Sequence, residues 1–243
     1  MALIICMAGF NTRFHDVGFD IPKYLLPWGK STIIHSILSE LNYSGETILL
    51  ANKRDHYFKS KLVDSIKPLG YDESNIFYIN DTSGQAHTTA IGADLIRSKE
   101  TPLFVHNADT IVTNRNFDYM EKTMQENVCA AFIDVFVASS PKYCYIRGVE
   151  GVVSDIVEKE AISPYASSGL YGFINAHEYL KSYNELLTKV QKSEVYVSNV
   201  LSDMLRDNKS IAFNPLNAKC ETIVLGSPQE YGIEFVKKNY EVR

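Results

Sequence analysis

Short apolar runs alternate with helical periods along most of this chain. The run Ala2-Leu3-Ile4-Ile5-Cys6-Met7 predicts a buried strand. Further strands are predicted at Thr47–Ala51, Ile76–Ile79, Leu103–His106, Ala130–Val137, Val152–Glu158, Leu170–Ile174 and Thr222–Leu225. Between them Ile33, Ile34, Ile37, Leu38 and Leu41 recur at the spacing of one helical face, and Val200, Leu201, Met204 and Leu205 form another. Strand–helix alternation in the first half predicts parallel βαβ units and a sheet covered on both faces. After Ala130 the strands crowd together, with Gly148, Gly151 and Gly169 as turn signals, which predicts a mixed or antiparallel addition to the same sheet. The last helix has a readable start: Ser227 can cap it, Pro228 suits its first position, and Glu230 completes a capping box. No repeat or low-complexity linker interrupts residues 1–243, so a single domain is expected.

Composition acts mainly by exclusion. With 45% hydrophobic and 22% charged residues the chain is ordinary globular material. A net charge of −5 argues against a nucleic-acid groove or an anionic membrane face as the main partner. Any anion site must then be a local cluster of cations, for which Arg13, Lys23 and Lys159 are candidates. The cysteines Cys6, Cys129, Cys144 and Cys220 show no metal-finger spacing, and Cys6 and Cys129 lie in or beside apolar runs, as small core residues do. A reducing, cytoplasmic setting is expected. Met1 to Gly9 is too short for a signal segment, and no apolar run is long enough to span a membrane.

The loop after the first strand carries the first chemistry. Ligands of open α/β sheets collect at the carboxyl ends of the strands. Small Ala8 and Gly9 let backbone N–H groups approach phosphate oxygens. Arg13 offers a planar fork and Lys23 a compact charge, while Pro22 biases Ile21 toward an extended backbone that presents Lys23. A plain surface loop with solvated cations is the competing reading. Two familiar phosphate motifs fail here. A G-x-G-x-x-G loop needs more than Gly9, and the first glycine of a Walker A loop ending in "GKST" would fall on Tyr24.

The stretch "MAGFNTRF…IPKYLLPWGKSTIIHSI" resembles the amino-terminal signature of the nucleotidylyltransferases that join an NTP to a phosphorylated small molecule. Thr12, Arg13, Pro22, Lys23 and Pro27 match it, whereas Met7, Phe10, Asn11 and Thr32 depart from it. "SGQAHTTAIGA", which by itself reads as a simple helix start, is similar to the segment that meets the nucleobase, and the resemblance implies Gly84 and Gln85 as candidate base readers. "FVHNADTIV" resembles a strand-ending G-D motif with Ala108 in the glycine position. It implies Asp109 as a Mg²⁺ ligand, and a carboxylate at the end of a buried strand does need a cation. "SSPKYCYI", "VVSDIVEKE" and "ASSGLYGFIN" resemble the acceptor-pocket segments, which imply that Glu158 bonds the acceptor and Lys159 its phosphate. "SEVYVSNVLSDMLRD" resembles the segment with a second metal carboxylate; Asn199 stands there, with Asp203 one turn on as the alternative. "IVLGSPQEYGIEF" resembles the closing motif, so the resemblance runs from Leu3 to about Phe235.

The resemblance implies an α/β fold of nucleotidyltransferase (GT-A-like) type, with a Rossmann-like, mostly parallel mixed sheet and helices on both faces. It implies nucleotide binding by Ala8, Gly9, Asn11, Thr12, Arg13, Lys23, Gly84 and Gln85, with Arg13, Lys23 and Asp109 catalytic. It further implies Mg²⁺ on Asp109 and Asn199, an NTP and a phosphorylated acceptor as partners, and neither nucleic acid nor membrane. With no long carboxyl-terminal extension the chain looks more like the short cytidylyltransferase branch than the longer glucose- or mannose-phosphate enzymes, and that resemblance implies CTP as the donor. A metal-dependent glycosyltransferase would place a D-x-D where this chain has "NADT". A catalytically silent nucleotide-binding protein could show Phe10, Asn11 and Asn199, but the retained Arg13, Lys23, Asp109 and Lys159 speak against decay.

Overall fold

The computed structural model of the protein describes residues 1–190 and 194–240, and in it the first apolar run forms a strand whose Ala2 to Ile5 have no exposed surface. In chain order the strands are β1 (Ala2–Met7), β2 (Pro27–Trp28), β3 (Ser31–Thr32), β4 (Glu46–Asn52), β5 (Ile76–Ile79), β6 (Leu103–Asn107), β7 (Thr110–Val112), β8 (Ala131–Val137), β9 (Cys144–Val149), β10 (Val152–Glu158), β11 (Tyr165–Phe173), β12 (Ile211–Phe213) and β13 (Thr222–Val224). The α-helices are α1 (Thr12–His15), α2 (Ile33–Leu41), α3 (Lys59–Ile66), α4 (Gln85–Leu95), α5 (Phe117–Glu126), α6 (Ala176–Lys189), α7 (Val197–Arg206) and α8 (Pro228–Tyr240).

The main sheet has nine strands in the order β5-β4-β1-β6-β11-β8-β12-β10-β9. From β5 to β6 the strands run parallel. Beyond β6 the neighbours are antiparallel, apart from β12, which lies parallel to β8. The expected mostly parallel sheet is therefore parallel in one half and mixed in the other. Along β1, Leu3, Ile5 and Met7 join a core cluster with α2, while Ala2 and Ile4 join another with α4, α6 and α7. That alternation is what helices on both faces require of a central strand. After β1 the chain builds outward through β4 and β5, then returns to the other side of β1 as β6. The crevice between the carboxyl ends of β1 and β6 is thus a topological switch point, where such sheets bind ligands.

Three departures from the sequence pattern have local causes. β11 begins at Tyr165, earlier than expected, because its first half is small and polar and its ladder with β8 is irregular between Ser167 and Tyr171. β9, β7 and β12 carry too few apolar residues in a row to stand out. Within apolar β8, Asp134 is fully buried against Arg115, whose Nε lies 2.9 Å from both carboxylate oxygens. Ser168 and Asn217 also donate to Asp134, at 2.5 and 2.6 Å, so the buried charge is paired and hydrogen-bonded. The expected start of α8 is present: Ser227 Oγ accepts from the Glu230 N–H at 3.3 Å and donates to Glu230 Oε2 at 2.7 Å. Among the described residues no helix is long and apolar enough to cross a membrane, and all four cysteines are free thiols.

Candidate active site

The crevice between β1 and β6 holds a cavity of about 460 Å³. Ala8, Gly9 and Phe10 reach it from the loop after β1, Gly84 and Gln85 from the start of α4, and Asn107 and Asp109 from the end of β6. Lys23 is brought in from a distance. Pro22 is extended (φ −56°, ψ 137°), and Tyr24 and Leu25 just after it are buried, which anchors the turn and leaves Lys23 facing the cavity. Its Nζ lies 2.5 Å from Asp109 Oδ2. Burial by itself would raise the Asp109 carboxyl, but the Lys23 charge and hydrogen bond, with smaller help from His106 and Thr110, hold it below the usual carboxylate range.

The backbone around Asp109 is fixed from both sides. Leu225 N–H donates to Asp109 O at 2.7 Å where β13 pairs with β7. His106 is fully buried and its Nε2 lies 2.7 Å from Thr110 O, so that nitrogen carries the hydrogen. Burial pushes the His106 imidazole below its usual value and keeps it neutral. The thiol of Cys6, also on the cavity wall, is pushed up to about 12 by burial and is no nucleophile.

Gly84 caps α4 with φ +117°. A Cβ there would stand 2.7 Å from Val195 O, so only glycine lets this turn lie against Glu194–Tyr196. That segment is laced on by Val195 N–H to Ser83 O and by Ala86 N–H to Val195 O, both 3.0 Å. Glu194 and Tyr196 line the cavity as a result, with the Tyr196 hydroxyl donating to Glu194 Oε2 at 2.8 Å. The Tyr196 phenol is pushed up to about 12, chiefly by burial and then by Glu194 and Glu158, with Arg13 opposing.

Asn11, in the left-handed region at φ 55°, turns the chain into the single turn α1, which carries Thr12 and an exposed Arg13. Buried Phe14 anchors that turn against Phe19 and Tyr231. Phe10 is covered by Arg54, whose guanidinium carbon stands 4.4 Å above the ring while its Nη2 bonds Asp81 at 2.7 Å.

Glu158 ends β10, accepts a hydrogen bond from Ser198 Oγ, and lines a second groove of about 530 Å³ between β10 and α7. Lys159 follows it in the left-handed region at φ 61°, with its N–H donating to Tyr143 O at 2.8 Å and its side chain exposed.

Residues 2–218 match the nucleotidyl transferase family model. The protein is a member of the nucleotidyl transferase family. Among curated relatives it is 28% identical over 111 residues to a mannose-1-phosphate guanyltransferase of Neurospora crassa, covering 45% of this chain and 30% of that protein. To the enzyme of that name in Yarrowia lipolytica it is 25% identical over 178 residues, covering 69% and 48%. The chain thus spans about half the length, or less, of these relatives. Among solved structures it is similar to the nucleoside-diphosphate-sugar pyrophosphorylase of Vibrio cholerae RC9, with a TM-score of 0.77 and 22% identity over 97% of this chain and 99% of that one. It is also similar to the inositol-1-phosphate CTP transferase of T. maritima, with a TM-score of 0.73 and 13% identity over 98% and 95%. The mixed sheet flanked by helices is the nucleotidyltransferase, GT-A-like fold of these structures.

Within this nucleotidyl transferase frame, Ala8, Gly9, Lys23, Gly84, Gln85 and Asp109 share one cavity. Asn11, Thr12 and Arg13 belong to the turn beside it. The structure does not bring Asn199, the expected second metal ligand, to the cavity wall with Asp109. The Asn199 side-chain oxygen accepts from Tyr196 N–H at 3.0 Å, closing the first turn of α7, and the residue lines the groove with Glu158 and not the cavity with Asp109. Asp203 does not replace it, being buried and paired with Lys189 at 2.8 Å. Asn107, Glu194, Tyr196 and the Arg54–Phe10 stack escaped sequence reading. Of these, Asn107 left a signal: a polar residue closing an apolar strand just ahead of Asp109.

Among the described residues no group of three His, Cys, Asp or Glu side chains could hold a metal by itself. Asp109 and Glu194 are the carboxylates on the cavity wall, and Tyr196 already bonds Glu194. Mg²⁺ commonly takes one or two carboxylates and completes its shell with water and phosphate oxygens, which is a donor set Asp109 can serve.

Proposed function

We propose that this nucleotidyl transferase moves a nucleoside monophosphate from an NTP to the phosphate of a small-molecule acceptor and releases pyrophosphate. The observation that carries the reading is the Lys23–Asp109 pair at 2.5 Å, in a cavity shared by the small-residue loop after β1 and the start of α4. A phosphate oxygen of the acceptor attacks the α-phosphorus in line, the bond to the β-phosphate oxygen breaks, and its electron pair leaves with pyrophosphate. Two polyanions must meet, so positioning and charge neutralisation carry the rate and no side-chain nucleophile is needed.

Lys23 turns from Asp109 toward the α-phosphate, where charge shifts during transfer. Arg13 holds the departing β- and γ-phosphates, and the N–H groups of the Ala8–Gly9 loop cradle them. Gly84 and Gln85 receive the base. Lys159 holds the incoming phosphate, and Glu158 orients the rest of the acceptor. Asp109 would hold a Mg²⁺ ion, which would supply charge neutralisation for the triphosphate.

In its finer form the donor is CTP and the acceptor phosphorylated glutamine, giving CDP-L-glutamine. This rests on the resemblance of the motif set to the CTP:phosphoglutamine cytidylyltransferase of bacterial capsule phosphoramidate biosynthesis. The competing reading, a sugar 1-phosphate with another NTP, is favoured by the names of the fungal relatives, and phosphocholine is a further acceptor of the same chemistry. Pyrophosphate release is to be measured with each NTP against phosphorylated glutamine, hexose 1-phosphates and phosphocholine. Turnover with one pair supports transfer and names the substrates. No pyrophosphate with any pair, from protein that binds NTP, would leave a nucleotide-binding protein without catalysis.

A further inference from the structure

We propose that Asp55 is a positioning residue for Lys23, acting through Tyr24 to hold the turn from which Lys23 reaches the α-phosphate; this rests on the nucleotidyl-transfer reading above. Lys23 to Leu25 form a single 3₁₀ turn with no side-chain cap at Pro22. Two backbone bonds close it, Leu25 N–H to Pro22 O at 2.8 Å and Leu26 N–H to Lys23 O at 3.1 Å. A further hold comes from a side chain. Tyr24 is 1% exposed, and its hydroxyl donates to Asp55 Oδ2 at 3.1 Å across 31 positions of sequence.

Asp55 stands on a firm base. It lies in the 3₁₀ segment Lys53–Phe58 directly after β4, whose start is capped by the Arg54 N–H donating to Asn52 Oδ1 at 3.0 Å. β4 is paired with β1 on one side and β5 on the other. The carboxylate thus ties the Lys23 turn to the parallel half of the sheet, which also carries the loop after β1. Asp55 itself lies outside every segment that carries the family resemblance.

Stability alone accounts poorly for this pair. Asp55 is 6% exposed, and the Tyr24 hydroxyl is its one side-chain hydrogen-bond partner among the described residues. Burial raises the Asp55 carboxyl above the usual carboxylate range, with the Tyr24 bond and the Arg54 and His15 charges opposing. An enclosed carboxylate served by one neutral donor gains less from the bond than its desolvation costs. What the bond adds is direction: it fixes the end of the Tyr24 ring, whereas apolar packing is non-directional. Lys23 needs that constraint. Its Nζ bonds Asp109 at 2.5 Å and has to leave it for the α-phosphate, so the backbone must stay in place while the side chain moves. A misplacement of about 1 Å in such a group can cost about 10²-fold in rate.

The test is steady-state pyrophosphate release with the NTP and acceptor pair that wild type turns over fastest. The proteins are wild type, Tyr24→Phe, Asp55→Ala and Asp55→Asn, each also made in a Lys23→Ala background and checked for folding by thermal melting. Tyr24→Phe keeps the buried ring and loses only the bond. It and Asp55→Ala should lower kcat about tenfold or more, with KM for the NTP within about twofold of wild type. Asp55→Asn still offers Tyr24 a carbonyl oxygen and should retain most of the rate. In the Lys23→Ala background the same changes should lower kcat by less than about twofold, because the group they position is gone. Should one of Tyr24→Phe and Asp55→Ala not fold, the other carries the comparison. An unchanged kcat in the folded variant, or an equal loss with and without Lys23, overturns the positioning role while nucleotidyl transfer stands. If wild type releases no pyrophosphate with any pair, the transfer reading falls and this role falls with it.

Discussion

Lys23 Nζ and Asp109 Oδ2 are 2.5 Å apart although the residues are 86 positions apart in sequence, and each neutralises the other inside the cavity. Both side chains keep some contact with solvent, so an entering triphosphate can reach the pair. Lys23→Ala is expected to reduce turnover by about 10²-fold or more, the effect of removing one donor to a developing oxyanion. Steady-state pyrophosphate release by folded mutant protein is the measurement. A wild-type rate would remove Lys23 from the mechanism.

Asp109→Asn is expected to weaken the dependence of activity on Mg²⁺, because the amide lacks the charge that draws the ion. Asn199→Ala should leave the midpoint of the same metal titration unchanged, since the Asn199 oxygen is engaged by the Tyr196 N–H. It should cost about 1 kcal/mol of stability, as for a lost helix cap. Equal shifts of the metal midpoint in both mutants would return Asn199 to the metal site.

Removing one partner from the Arg115–Asp134 pair should be severe. Both side chains are fully buried. Asp134→Ala strands the Arg115 charge, and losses of about 3–5 kcal/mol follow when one member of a buried pair is removed. Denaturant unfolding measures it, and a loss under about 1 kcal/mol would show that the pair is not maintained in solution.

His106 sets a pH dependence of stability. Its folded value is lowered by burial, so below the unfolded value of about 6.5 the unfolded chain binds a proton that the native one refuses. Stability is thus expected to fall as pH drops from about 6.5 toward the lowered native value, by at most about 1.4 kcal/mol per pH unit. His106→Gln, which keeps an N–H for Thr110 O but does not titrate, should flatten the curve there. Chemical unfolding at pH 7 and pH 5 compares the two proteins. Equal slopes would assign the acid sensitivity elsewhere.

Gly84→Ala should impair nucleotide binding and stability together. Its φ of +117° strains any side chain, and the added Cβ meets Val195 O at 2.7 Å. Strain of this kind costs about 1–3 kcal/mol, and relief by shifting Glu194–Tyr196 would open the cavity wall. A raised KM for the NTP with a lowered Tm is expected. An unchanged KM would mean that the wall does not touch the nucleotide.

By itself the sequence determined the parallel half of the sheet, the α2 face and the start of α8, while its resemblance to the nucleotidylyltransferases pointed to the segments that carry Lys23, Gly84, Gln85 and Asp109. These features are local. Burial on one or both faces is written into apolar periodicity, and glycine, proline and cap residues mark turns at fixed offsets. Only the tertiary structure decided that β12 inserts between β8 and β10, and that Asp134, inside an apolar run, meets Arg115. It also turned the Asn199 oxygen onto its own helix start and brought Asn107 against Gln85 beneath the space left by Gly169. Periodicity records that a residue is covered; it does not say which distant strand covers it. A polar side chain takes its role from the partner that long-range packing sets within hydrogen-bond reach.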